Sequence, residues 1–130
     1  MNPWRDLYTG EVRPEQVGER ITVAGWVARR RDHGGLIFID LRDHTGIVQL
    51  VVNPERAPEA AKTAHDVRSE FVLRAQGEVV RRAPDAVNPN IATGEVELQV
   101  DELEIVARSG LTTIWQIPVW SRRSTKTRLP

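Results

Sequence analysis

Three consecutive arginines, Arg29, Arg30 and Arg31, precede a short stretch that holds His33 and Phe38, and Gln49 follows soon after. A run of guanidinium groups, an aromatic ring and a carboxamide offer no obvious bond-making chemistry. Together they are what an unstacked nucleobase requires. An aromatic face stacks on a base for roughly 1–3 kcal/mol, and Arg and Gln supply donors and acceptors for base edges. Two plainer readings stay open on the residues alone: Phe38 is covered by a terminal arm or helix, or the arginine run is a solvated edge.

The elements that must position these groups read as strands. Strict alternation along Leu36 to Asp43 puts Ile37, Ile39 and Leu41 on one face and Leu36, Phe38, Asp40 and Arg42 on the other, the period of a half-buried strand. Phe38 is the odd residue, a large aromatic on the polar face. In the next run, Ile47 to Val52, Val48, Leu50 and Val52 phase inward and Gln49 outward, and His44-Thr45-Gly46 between the runs reads as a hairpin connection. Phe38 and Gln49 then share one exposed sheet surface. Upstream, a strand from Ile21 to about Arg29 carries Ile21, Val23 and Val27 at one parity and Trp26 at the other, and Asp32-His33-Gly34-Gly35 reads as a turn. Trp26 reads either as a ligand contact or, the favoured reading, as core or lid packing, because Gly25 beside it suggests close approach of another element.

Downstream, Pro58 to Arg68 reads as a small-sided helix with Ala60, Ala64 and Val67 on one face. A fourth strand, Phe71 to about Arg81, points Phe71, Leu73, Ala75, Gly77 and Val79 inward. A long loop from Arg82 to Thr93 follows, then a fifth strand from Gly94 whose phase breaks at Asp101-Glu102, as a bulge would break it. Five strands with one helix between the third and fourth is the order of the OB-fold, an all-β, five-stranded Greek-key barrel. Residues 1–20 are expected to form an arm with a short helical segment, residues 21–108 the barrel, and residues 109–130 a basic, flexible tail.

The stretch GWVARRRDHGGLIFIDLRDHTGIVQL strongly resembles the N-terminal anticodon-binding domain of bacterial aspartyl-tRNA synthetase, over about residues 7 to 108. Asparaginyl- and lysyl-tRNA synthetases share the fold with more divergent versions of the stretch. The resemblance implies that Phe38 stacks on an anticodon base and that Arg31 and Gln49 hydrogen-bond anticodon bases. It implies that Glu97 accepts from the Watson-Crick edge of guanine, the first base of GUC, and that Arg82 and Asn88 lie in the loop that closes over the anticodon. Arg29 and Arg30 belong to the same basic loop mouth. His33 sits at a loop tip where the family varies; its imidazole can donate or accept and so bears on whether GUU is tolerated beside GUC, the alternative being a plain solvent-exposed histidine. The implied partner is a tRNA with an aspartate-type anticodon, with a synthetase catalytic domain or self-association as further partners. A sequence-tolerant single-strand binder and a protein-interaction module remain the rival classes.

Composition bounds these readings. At 130 residues, 40% hydrophobic and 28% charged, the chain is sized for one domain with a single core. It has no cysteine, which removes disulfides and thiolate metal sites. It has no long apolar run for a membrane span and no signal-peptide pattern in MNPWRDLYTGE, so a cytoplasmic location is expected. Arg122, Arg123, Lys126 and Arg128 fall after residue 109 without an acidic neighbour, so the remainder carries a net negative charge. Binding of RNA by bulk charge is not expected of the barrel; local placement must supply it. No Walker loop, dinucleotide fingerprint, metal-spaced histidine cluster or nucleophile elbow occurs, so no cofactor or metal is expected. Arg68-Ser69-Glu70 imitates the Arg-x-Glu of class II synthetases but lies where the anticodon-binding domain has its own Arg-x-Glu-Phe. The chain alone is therefore not expected to aminoacylate.

Overall fold

Alternating burial along each strand closes the chain on itself. The computed structural model describes residues 7–108. In it β1 (Arg20–His33), β2 (Leu36–Asp43), β3 (Gly46–Val52), β4 (Val72–Arg81) and β5 (Val96–Ala107) form a closed barrel in the order β1-β2-β3-β5-β4. All junctions are antiparallel except β3 with β5, which pair parallel through Leu50 to Leu98 and Val51 to Gln99. A single helix, α1 (Pro58–His65), lies between β3 and β4, so the predicted strand order and helix position hold.

The core is the inward set of the alternation: Ile21, Val23, Val27, Ile37, Ile39, Leu41, Val48, Leu50, Val52, Leu73, Ala75, Val79, Val96, Leu98 and Val100 are all buried. Ile39 and Leu41 have no exposed surface, so truncating either to alanine would cost about 2–5 kcal/mol. Ala57, Ala60, Ala61, Ala64 and Val67 join the same core; small side chains let α1 approach the barrel closely. The helix is shorter than predicted. After His65 the chain tightens, with Asp66 N donating to Thr63 O at 3.0 Å and Val67 N to Ala64 O at 3.1 Å, and Val67 still reaches the core.

β1 is longer than predicted. It runs through Asp32 and His33, which pair with Ile37 and Leu36, leaving only Gly34-Gly35 as the turn. Both glycines have positive φ, 61° and 84°, the two-residue hairpin conformation whose twist matches the flanking strands. The close approach expected at Gly25 is real, since a Cβ there would overlap the carbonyl oxygen of Arg42. Trp26, however, is not covered. It lies on the outer face opposite Arg42 and is 40% exposed, because the alternation that buries Val23 and Val27 turns it away from the core.

The segment before β1 is held by polar bonds to the β2–β3 turn. Thr9 N donates to Asp43 Oδ2 at 2.8 Å, Thr9 Oγ1 to Gly46 O at 2.9 Å, and Gly10 N to Thr45 Oγ1 at 2.9 Å, while Val12 enters the core. The tail expected at residues 109–130 lies outside the described residues. Among the described residues no helix is long and apolar enough to cross a membrane.

Candidate nucleic-acid interface

The placement of the arginines depends on one extra residue. Val27 pairs with Leu41 and Arg29 with Asp40, so Ala28 is a bulge in β1. A one-residue insertion reverses which face each later side chain takes. Were Ala28 an ordinary paired residue, Arg29, Arg31 and His33 would continue the inward parity of Ile21, Val23 and Val27. Because it is bulged, they stand on the outer face, across from Asp40, Phe38 and Leu36. Arg30 takes the opposite parity, across from Ile39. It pairs with Asp32 at 3.1 Å, and its Nε is buried without a hydrogen-bond partner.

The strand registers then draw a polar row over four strands. Arg29 of β1 faces Asp40 of β2, Asp40 faces Gln49 of β3, and Glu97 of β5 lies beside Gln49, one step before the Leu50 to Leu98 pair. Arg31 and Phe38 form the next row. The Arg31 guanidinium carbon lies 5.2 Å from the centre of the Phe38 ring, within cation–π range. Arg31 Nη2 donates to Gln49 Oε1 at 3.0 Å, and Gln49 Nε2 donates to Glu97 Oε1 at 2.8 Å. Turning the amide over would set its NH2 against a guanidinium and its oxygen against a carboxylate. The two charged neighbours therefore fix its orientation. Gln49 was expected on an exposed surface; it does have the outer parity, but between these partners it is only 6% exposed.

The β4–β5 loop forms the opposite wall. Arg82 Nε donates to Val96 O at 2.9 Å and Arg82 Nη1 to Ala86 O at 3.3 Å, bracing a 3-10 turn over Pro84–Ala86. Asn88 N donates to Gly94 O at 3.0 Å, and buried Thr93 anchors the loop through Oγ1 to Ile47 O at 2.6 Å. Burial lowers the pKa of the Arg82 guanidinium, an effect opposed by the negative charges of Glu97 and Asp40 and reinforced by Arg31.

These walls enclose an open cleft of about 520 Å³ lined by Arg29, Arg31, His33, Phe38, Asp40, Ile47, Gln49, Arg82, Asp85, Ala86, Asn88 and Ile91. Seven of the nine residues singled out from the sequence line it. Glu97 is joined to the cleft through Gln49, and Arg30 stands apart. Asp40, Asp85, Ile47 and Ile91 were not singled out; Asp40, two residues after Phe38, and Ile47, two before Gln49, had a signal in strand parity. The mixture of cations, carboxylates and one aromatic suits a base edge better than a phosphate. Among the described residues no group of three His, Cys, Asp or Glu side chains could hold a metal ion.

The family model for the tRNA anti-codon OB-fold nucleic acid binding domain matches residues 21–106. The chain belongs to that family. It is 58% identical over 102 residues to an aspartate-tRNA ligase of Geobacillus kaustophilus and 53% identical over 102 residues to an aspartate-tRNA(Asp/Asn) ligase of Acaryochloris marina, in each case 78% of this chain and 17% of the relative. The asparaginyl-tRNA synthetase of Pyrococcus horikoshii superposes with a TM-score of 0.68 at 32% identity, covering 83% of this chain and 24% of that one. The barrel is thus an OB-fold anticodon-binding domain of the aspartyl- and asparaginyl-tRNA synthetase type, and the chain spans 17% of the length of the two aspartate-tRNA ligases.

Proposed function

We propose that the cleft reads the anticodon of aspartate-type tRNA, taking GUC by stacking on Phe38 and by hydrogen bonds from Arg31, Gln49 and Glu97. The observation that carries this reading is the Gln49 amide, locked between Arg31 and Glu97 beside an aromatic face. A locked amide presents one fixed pattern to an incoming base, and a carboxylate accepts only, which suits the N–H donors of guanine. Arg29, Arg82 and Asn88 add donors around the cleft, and Arg30, held by Asp32, contributes positive charge beside it. In this reading residues 21–108 form the recognition unit of a cytoplasmic aspartate-tRNA ligase, with residues 1–20 an arm and 109–130 a separate segment. It adds binding energy far from the reacting end of the tRNA.

The test is binding of the purified chain to anticodon stem-loops bearing GUC, GUU and an unrelated triplet, at two salt concentrations. Preference for GUC, alone or with GUU, is expected. Equal binding of all three that collapses with salt would replace this reading with sequence-tolerant single-strand binding, which the carboxylates Asp40 and Asp85 in the cleft disfavour. Acceptance of GUU turns on His33 at the cleft. If His33→Leu and the parent treat GUC and GUU alike, His33 has no part in discrimination.

A further inference from the structure

Beyond the cleft, the outer face of β1 and β2 continues toward the other end of the strands. The Ala28 bulge keeps Trp26 on the same face as Arg29 and Arg31, although Trp26 and Arg29 are three residues apart. Trp26 faces Arg42 directly across the β1–β2 pair, and Arg29 faces Asp40 in the next outward row. Side chains directly opposite in such a pair stand roughly 5 Å apart at Cβ. The outer face therefore reads, row by row, Phe38 with Arg31, Asp40 with Arg29, and Arg42 with Trp26. Trp26, Arg29 and Arg42 are all exposed, and among the described residues neither Arg29 nor Arg42 has an ion-pair partner. From Phe38 to Arg42 the strand advances roughly 13 Å at about 3.3 Å per residue.

We propose that this strip is an extension of the cleft that binds nucleotides flanking the anticodon triplet, with Trp26 as a second stacking platform and Arg29 and Arg42 as phosphate contacts. The inference rests on the anticodon reading above. Three features support it. The strip is continuous with the cleft through Arg29, which lines both. Arg29 and Arg42 outnumber its one carboxylate, Asp40, and neither is ion-paired among the described residues, which complements a phosphate backbone. Finally, OB-folds that bind single strands without sequence preference track about 4–16 nucleotides, so one face of this barrel has room for more than three bases. An exposed indole opposite an arginine offers a sequence-tolerant stacking face. It would add affinity for the loop without reading its bases.

The experiment compares Trp26→Ala, Trp26→Phe, Arg42→Gln and Phe38→Ala with the parent chain. The probes are a GUC anticodon stem-loop and the free trinucleotide GUC, and thermal melts confirm that each variant is folded. Trp26→Ala is expected to weaken stem-loop binding roughly 5- to 150-fold and to leave trinucleotide binding unchanged, with Trp26→Phe recovering most of the loss. Arg42→Gln should reduce the slope of log K against log salt on the stem-loop by about 0.7. Phe38→Ala should weaken both probes. If folded Trp26→Ala binds the stem-loop as the parent does while Phe38→Ala loses affinity, the strip is overturned and the anticodon reading stands. Equal loss on both probes from Trp26→Ala would also overturn the strip, since Trp26 would then act on the cleft. If Phe38→Ala changes neither probe, the anticodon reading fails and takes the strip with it.

Discussion

Replacing Glu97 with glutamine keeps the shape of the side chain and removes its charge. In the parent, both ends of the Gln49 amide are occupied, by Arg31 at 3.0 Å and Glu97 at 2.8 Å. A glutamine oxygen at position 97 can still accept from Gln49 Nε2. The fold loses only the difference between a charged hydrogen bond, about 1.5–3 kcal/mol, and a neutral one, about 0.5–1.5 kcal/mol. Stability should therefore fall by about 1 kcal/mol. Binding should fall further. With its oxygen held by Gln49, the new carboxamide turns its NH2 toward the guanine N–H donors that the carboxylate would accept. A lost charged bond together with a donor facing a donor costs about 2–4 kcal/mol, roughly a 30- to 1,000-fold rise in Kd. Adenine offers an N–H and an acceptor on the same edge, which a carboxamide can match. Preference for G over A at the first anticodon position should level or reverse. Titrations with labelled stem-loops carrying either base, alongside urea unfolding, measure both effects. A variant that prefers G as strongly as the parent would refute the role of Glu97. A stability loss above about 3 kcal/mol with preference unchanged would make the Arg31–Gln49–Glu97 chain purely structural.

Further outcomes follow from the same geometry. Phe38→Ala should weaken stem-loop binding by about 1–3 kcal/mol and leave the melting temperature nearly unchanged, since Phe38 is half-buried outside the core; calorimetry separates the two. Arg82→Lys should fail to restore what Arg82→Ala loses, because a single ammonium does not reproduce the fork that reaches both Val96 O and Ala86 O; faster hydrogen exchange at residues 88–94 would report the loosened loop. Gly94→Ala should disrupt that loop directly, since its Cβ would overlap the Asn88 carbonyl oxygen, and RNA affinity should fall with it. At Asp101, burial raises the carboxyl pKa, but hydrogen bonds from Arg56 and Arg20 and their charges outweigh it, so the folded value lies below the ordinary 3.8. The stability that Asp101 contributes is then complete above that value and disappears as pH falls through the folded pKa. Asp101→Asn should flatten the acid limb of the stability curve and change it little near neutrality, beyond the loss of two partly exposed ion pairs.

Much of the barrel was legible because alternation is a local property. Ile37, Ile39 and Leu41, or Val96, Leu98 and Val100, declare their face to any reader who knows the period of a strand. The bulge at Asp101 was visible for the same reason, since the chain steps out of phase between Val100 and Leu103 and the register of β5 against β4 shifts there. The bulge at Ala28 was not. After Val27, the last inward residue before it, the strand continues only with arginines, Asp32 and His33, which carry no hydrophobic phase to be broken. Arg30 is consequently grouped with Arg29 and Arg31 although its parity differs, while the cover expected for Trp26 came from Gly25, whose close neighbour is the Arg42 backbone. The burial of Gln49 was hidden for another reason: it depends on Glu97, 48 residues later, reached only when β5 lies parallel to β3. Asp85 and Ile91 meet the cleft through the loop path, which no periodicity records.

The parallel junction has a mechanical consequence. β3 and β5 meet over two residue pairs, whereas every other junction runs for seven or more. This is the seam where the cylinder has the least backbone stitching, and the Gln49 to Glu97 bond lies next to the last stitch. A base bound as proposed, to Gln49 and Glu97 together, would grip both lips of the seam at once. Such occupancy should slow the opening of this seam, read as slower hydrogen exchange where β3 meets β5.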